Sequence, residues 1–91
     1  MRFEWDNEKA ASNLIQHGVS FDEASTVFGD PLATTVPDRK HSVGEERWLT
    51  TGLSLQQRTV IVWYTTRDGI TRIIGARIAS PFERRIYESG E

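Results

Sequence analysis

Nothing in this chain constrains its fold as tightly as Asp68-Gly69. Both residues tolerate positive φ, as a type I′ turn requires, and they join two largely apolar runs, Arg58–Arg67 and Ile70–Ala79. The expectation is a β-hairpin closed by a two-residue loop. In that register Arg67 faces Ile70, Thr65 faces Arg72, Trp63 faces Ile74 and Val60 faces Arg77. Arg67 and Arg72 then share one face with Ile61, Trp63 and Ile74, while Arg77 falls on the other with Val62, Tyr64 and Ile73. A bulge in either strand would change these assignments. Both faces carry apolar groups, so both need cover: helices on one, a partner or a cleft on the other.

The remaining elements follow from caps and turns. Arg2–Trp5 alternates like an edge strand. Asp6 caps a helix running to about His17, with Ala10, Ala11, Leu14 and Ile15 as its apolar stripe and Gly18 as its stop. Ser20-Phe21-Asp22-Glu23 reads as a capping box for a short helix that buries Phe21, Ala24 and Phe28 and ends at Gly29-Asp30-Pro31. Leu32–Val36 is a weak strand, and Pro37–Gly44 a polar loop. Glu46–Leu53 is a further strand, which turns through Ser54-Leu55-Gln56-Gln57. Ser80-Pro81-Phe82-Glu83 opens a last helix, with Ser as cap and Pro in the first turn. The order βααββββα predicts an α+β domain with a mostly antiparallel sheet.

The 91 residues fit a single domain, 1–91, and leave no room for a second core. A chain this short buries only about 60–65% of its unfolded surface, so a covering partner would add to a modest stability. The absence of cysteine removes disulfides and thiolate ligands and fits a reducing compartment. With no apolar signal core or membrane-length run, a soluble, cytoplasmic protein without membrane contact is expected. The net charge of −2 hides an asymmetry. Residues 1–57 carry five Lys/Arg against nine Asp/Glu, whereas residues 58–85 carry six Arg against two acids. A polyanion would meet the arginine-rich half.

The two histidines, His17 and His41, lack metal-ligand spacing, and there is no nucleotide-binding glycine loop or nucleophile elbow. No metal or other cofactor is expected. What remains is a set of arginines among Trp48, Trp63, Tyr64 and Tyr87. The arginine fork matches phosphate oxygens, and aromatic rings stack the bases of single-stranded RNA. Cleaving a phosphodiester without a metal needs cations for the developing charge and a group to move the 2′-hydroxyl proton. Each of these residues also has a plainer use. Strand arginines commonly pair with acids, Trp63 and Tyr64 suit a core, His17 suits a helix C-terminus, and Glu45-Glu46-Arg47 suits a charged surface. Composition and spacing alone reach no further than a soluble α+β domain with a basic hairpin.

The ordered motifs go further. Phe3-Glu4-Trp5-Asp6 with Lys9 and Asn13, His17-Gly18-Val19, and Phe21, Glu23 and Ala24 open the series. His41-Ser42, Glu45-Glu46-Arg47-Trp48, Gly52, Tyr64-Thr65 with Arg67, Arg72-Ile73-Ile74, Ala76-Arg77, Ala79, Glu83-Arg84 and Tyr87 complete it. Together they resemble the BrnT toxin family over nearly the whole chain. The resemblance implies a RelE-like fold and a metal-independent ribonuclease toxin that arrests growth. It also implies a BrnA-like antitoxin with a ribbon-helix-helix domain, which bridges to operator DNA within a hetero-oligomer. Carried over by position, Lys9, His41, Glu46, Arg67 and Arg77 become the candidate catalytic set. Arg67 and Arg77 would hold phosphate, Glu46 or His41 would move protons and Lys9 would add charge. Trp48 and Arg72 would bind RNA or shape the sheet. Gly75 stands where the family usually has serine, and Ile78 where a basic residue is common. Those departures, with the acidic total, leave a second reading open: a catalytically inactive toxin-fold module acting as antitoxin partner or co-repressor.

Overall fold

The computed structural model describes residues 1–90. In chain order the elements are β1 (Arg2–Glu4), α1 (Asn7–His17), α2 (Phe21–Thr26) continued by a 3-10 turn (Val27–Gly29), β2 (Thr34–Pro37), β3 (Trp48–Leu53), β4 (Thr59–Arg67), β5 (Ile70–Ile78) and α3 (Pro81–Ser89). The five strands form one sheet in the order β1-β5-β4-β3-β2, antiparallel except where β1 runs parallel to β5. This is the α+β arrangement expected from the sequence, with the second strand shifted to Thr34–Pro37 and the third beginning at Trp48.

The hairpin forms as expected, with Asp68 at φ 51° and Gly69 at φ 78°. Its register holds near the turn, where Arg67 faces Ile70 and Thr65 faces Arg72. Farther out it departs: Tyr64 faces Ile73 but Trp63 faces Gly75, so Ile74 is an extra residue in β5. Beyond that bulge Ile61 faces Arg77 and Val60 faces Ile78, instead of the expected pairs.

The core lies between one sheet face and the segment that runs through α1 and α2. Val60, Val62, Tyr64, Ile73 and Ala76 of the sheet meet Val19, Phe21, Ala24 and Val27. An aromatic chain extends it, with Phe28 4.9 Å from Tyr64 and 5.3 Å from Phe3 between ring centroids.

Two local expectations are corrected. Of the expected apolar stripe of α1 only Ala10 packs against the core: Leu14 is 51% and Ile15 85% exposed, and Ala11 is exposed too. The buried residue is Asn13, because β1 ends at the level of Arg72 and leaves the rest of the β5 edge unpaired. The Asn13 amide donates to the Ala76 and Val19 carbonyls (both 2.9 Å) and accepts from the Ala76 N–H (3.1 Å), doing the work of a missing strand. The capping box at Ser20 is only half made. The Ser20 hydroxyl accepts from the Glu23 N–H at 3.0 Å, but the Glu23 carboxylate turns inward to Ser54 and Arg58. The box at Ser80 is complete.

Candidate active site

The Ile74 bulge settles which arginines share a surface. One extra residue reverses the alternation, so Arg77 pairs with Ile61 and lies on the same sheet face as Trp63, Arg72 and Arg67. β3 contributes alternate residues to that face. Leu49 and Thr51 line a cleft there, whereas Thr50 is buried on the core side against the Tyr64 hydroxyl at 2.8 Å.

At the centre of the face, Asp38, His41, Arg47, Leu49, Trp63 and Arg77 line a cavity of ≈ 470 Å³. His41 is set by its loop: the ring Nδ1 lies 3.0 Å from an Asp38 carboxylate oxygen. Asp38 is itself fixed, its N–H donating to the Arg47 carbonyl at 2.8 Å and its carbonyl accepting from Ser42 Oγ at 2.6 Å. Asp38 has a side chain only 12% exposed, while that of His41 is 58% exposed. A carboxylate on Nδ1 leaves Nε2 as the free proton acceptor of the neutral ring, the arrangement of an oriented general base. The cavity adjoins a second of ≈ 260 Å³ that shares Leu49, Trp63 and Arg77 and continues along Thr34, Val36, Thr51 and Ile61 under Ile86 and Tyr87 of α3.

Arg77 is held in place from α3. Its Nη1 and Nη2 donate to the two Glu83 oxygens at 2.7 and 2.8 Å. The Arg77 guanidinium pulls the Glu83 carboxyl down to about 2 against the opposing effect of desolvation, with help from Ser80 at the helix cap. Glu83 therefore stays ionised in every neutral buffer, and the fork stays fixed. A second tether is the Tyr87 hydroxyl, which donates to Asp30 and is pushed up to about 12 by that bond and by desolvation. Desolvation pushes Asp30 upward, but the Leu53 N–H, the Tyr87 hydroxyl and the Leu32 N–H together hold it below its ordinary value. No residue of α3 is buried, so these polar ties carry much of its attachment.

Of the residues nominated from the sequence, His41 and Arg77 meet in this cleft. Arg67 and Arg72 share the face but stand nearer the hairpin turn, each beside an acid: Glu45 at 2.8 Å and Glu4 at 3.3 Å. Glu46 and Trp48 line a separate depression with Pro37, Arg39, Ser42 and Arg47, and Trp48 packs against the core. Lys9 stands exposed in the first turn of α1 and does not line the cleft. Two cleft residues were not nominated. Asp38 lies in the polar Pro37–Gly44 loop and Arg47 in the Glu45-Glu46-Arg47 charge cluster; strand alternation, which puts Arg47 in phase with Leu49 and Thr51, is the available signal.

Gly75 gains a specific reason. A Cβ at this position would fall inside the indole of Trp63, which lies flat across the strand and reaches the ring of His17 (centroids 6.1 Å apart). The missing serine is thus space occupied by Trp63. Restoring it as Gly75→Ser is expected to eject the indole and cost about 1–3 kcal/mol, the usual range for overpacking. A lower urea midpoint, with a red-shifted emission that disappears in a Trp63→Phe background, would show it. An unchanged midpoint would mean the indole has another seat. Ile78, the other departure, lines a different depression with Arg58 and Arg84.

Fold and cleft together define a small α+β domain with an arginine- and histidine-bearing groove on the sheet face away from α1 and α2. Residues 5–83 match the family described as the ribonuclease toxin, BrnT, of type II toxin–antitoxin systems, and the chain belongs to that family. Its fold is similar to the crystal structure of the Brucella abortus ribonuclease toxin, BrnT, with a TM-score of 0.69 and 20% identity over 88% of this chain and 97% of that one. No match was found among curated proteins. Among the described residues, no helix is long and apolar enough to cross a membrane.

Proposed function

We propose that the chain is a metal-independent endoribonuclease toxin whose reaction centre is the His41–Arg77 cleft. The observation that carries this reading is the convergence of an Asp38-oriented imidazole with a rigid guanidinium fork on one open sheet face. His41 Nε2 takes the proton of a ribose 2′-hydroxyl, and the resulting oxyanion attacks the adjacent phosphorus. The bond from phosphorus to the 5′-oxygen breaks, leaving a 2′,3′-cyclic phosphate and a 5′-hydroxyl protonated from solvent. Arg77 offsets the charge that develops on the phosphoryl oxygens. The adjoining groove, with Leu49, Ile61 and Tyr87, accepts a flanking base, and Arg67 and Arg72 draw the strand toward the hairpin. Lys9, Glu46 and Trp48 act outside the cleft, on the RNA path or on the frame that holds it.

Membership of a toxin–antitoxin family supports a neutralising partner. We assign it as a BrnA-like antitoxin with a ribbon-helix-helix domain, which covers the arginine face and alone contacts operator DNA. The test is cleavage of a bulk single-stranded RNA by the purified, antitoxin-free protein in EDTA. Cleavage yielding cyclic-phosphate ends is expected. RNA left intact by folded protein would sink the reading and favour a non-catalytic partner of the antitoxin.

A further inference from the structure

Resting on that ribonuclease reading, we propose that Arg47 is a second phosphate ligand of the cleft, gripping the RNA backbone opposite a fork that Glu83 already holds. Among the described residues, the arginines of the open sheet face differ in one respect. Arg67 has Glu45, Arg72 has Glu4 and Arg77 has Glu83 within ion-pair distance, whereas the Arg47 guanidinium has no such partner. Its Nε is buried and makes no hydrogen bond, and no other residue accepts from its side chain. A buried donor of a cation left unmade is costly, and most such groups in folded proteins are satisfied. An anionic acceptor suits a guanidinium best, and of the two depressions that Arg47 lines, the one shared with His41, Trp63 and Arg77 holds the proposed reaction centre.

The backbone around Arg47 is built to hold it there. Its N–H donates to Ser42 Oγ at 3.0 Å, and its carbonyl accepts from the Asp38 N–H at 2.8 Å, so the loop that positions His41 also positions Arg47. A phosphodiester between Arg47 and Arg77 therefore sits within one cleft with the His41 ring. The two cations differ in function. Arg77, clamped by Glu83, presents a fixed edge; Arg47, with its donors uncommitted, closes on the bound oxygen. The ligand class is a single-stranded ribose–phosphate backbone.

Binding separates this from the cleavage chemistry. The probe is a fluorescent single-stranded RNA with 2′-O-methyl riboses, which has no nucleophile and cannot be cut. Anisotropy titrations of the full chain over a range of salt compare wild type, Arg47→Ala, Arg47→Gln, Arg47→Lys and, as a remote-charge control, Arg85→Ala on the exposed side of α3. Loss of one phosphate contact lowers the slope of log K against log salt by about 0.7 for single strands. We expect that drop in Arg47→Ala and Arg47→Gln, a wild-type slope in Arg47→Lys, and no comparable change in Arg85→Ala. An unchanged slope in a folded Arg47→Gln protein, or an equal drop in Arg85→Ala, overturns the proposal. Wild-type protein that binds the probe with the Arg47-dependent slope, yet leaves unmodified RNA intact, would remove the ribonuclease reading and leave the phosphate grip standing. Cleavage by wild type with Arg47-independent binding would do the reverse.

Discussion

Replacing Arg77 with alanine is expected to lower RNA cleavage on the order of 10²–10³-fold, the loss typical when one preorganised donor to a developing oxyanion is removed. The expectation rests on the position of Arg77 in the His41 cleft and on the rigidity that Glu83 gives its fork. Arg77→Lys keeps the charge, yet a single ammonium cannot match both Glu83 oxygens and still present a planar edge to phosphate, so most of the activity should be lost there too. Without Arg77, Glu83 retains its capping bonds to Ser80 and Tyr87 still ties α3 to Asp30, so the variant should still fold. A product assay on matched RNA, beside a thermal melt, separates a chemical defect from a folding one. In cells, the same variant should lose growth arrest on expression. Near-wild-type cleavage by folded Arg77→Ala protein would move the reaction centre toward Arg67 and Arg72 at the hairpin turn.

That same arginine separates what local preferences encode from what they do not. Element order and the Asp68-Gly69 turn were legible because they rest on local backbone preferences, which act over a few residues. The face on which Arg77 emerges was not, because it depends on the Ile74 bulge. Nothing within the strand marks that bulge except the mutual need of Trp63 and Gly75: the indole requires a residue without Cβ opposite it, and only a shifted register provides one. Asn13 is a similar case. Helical periodicity selects apolar residues, so it pointed to Leu14 and Ile15. The position was decided by an unpaired strand edge 63 residues away in sequence, whose backbone polar groups had to be satisfied. The cleft was half legible. His41 and Arg77 came from motif resemblance, whereas Asp38 and Arg47 enter through the folding of one loop onto the end of β3. Side chains that owe their place to long-range hydrogen bonding leave little trace in local patterns.

The same long-range logic sets the largest expected loss of stability. Glu23 has a side chain 1% exposed, and Arg58, 35 residues on, donates to both of its oxygens while Ser54 adds a hydroxyl at 2.8 Å. Arg58→Ala would strand that carboxylate, at a cost of about 3 kcal/mol, the low end of the range for breaking a buried pair, because the Arg58 side chain is itself 39% exposed and solvent reaches the gap. Native domains have only about 5–15 kcal/mol in hand, so the variant should unfold at a much lower urea concentration. Acid distinguishes this mechanism from simple loss of packing. In the native protein the Arg58 hydrogen bonds, opposed by desolvation and aided by Ser54, hold the Glu23 carboxyl below its ordinary value of 4.5. A carboxyl lowered in the folded state contributes stability above its unfolded pKa and loses it as pH falls through the folded one. Without Arg58, desolvation dominates and the folded pKa moves above 4.5 instead, so protonation relieves the penalty. Between pH 7 and 4 the stability gap between wild type and Arg58→Ala should therefore narrow, and Glu23→Gln in the Arg58→Ala background should recover much of it at neutral pH. A gap independent of pH, with no recovery in the double variant, would show that Arg58 acts through the packing of its alkyl stem and not through the buried charge.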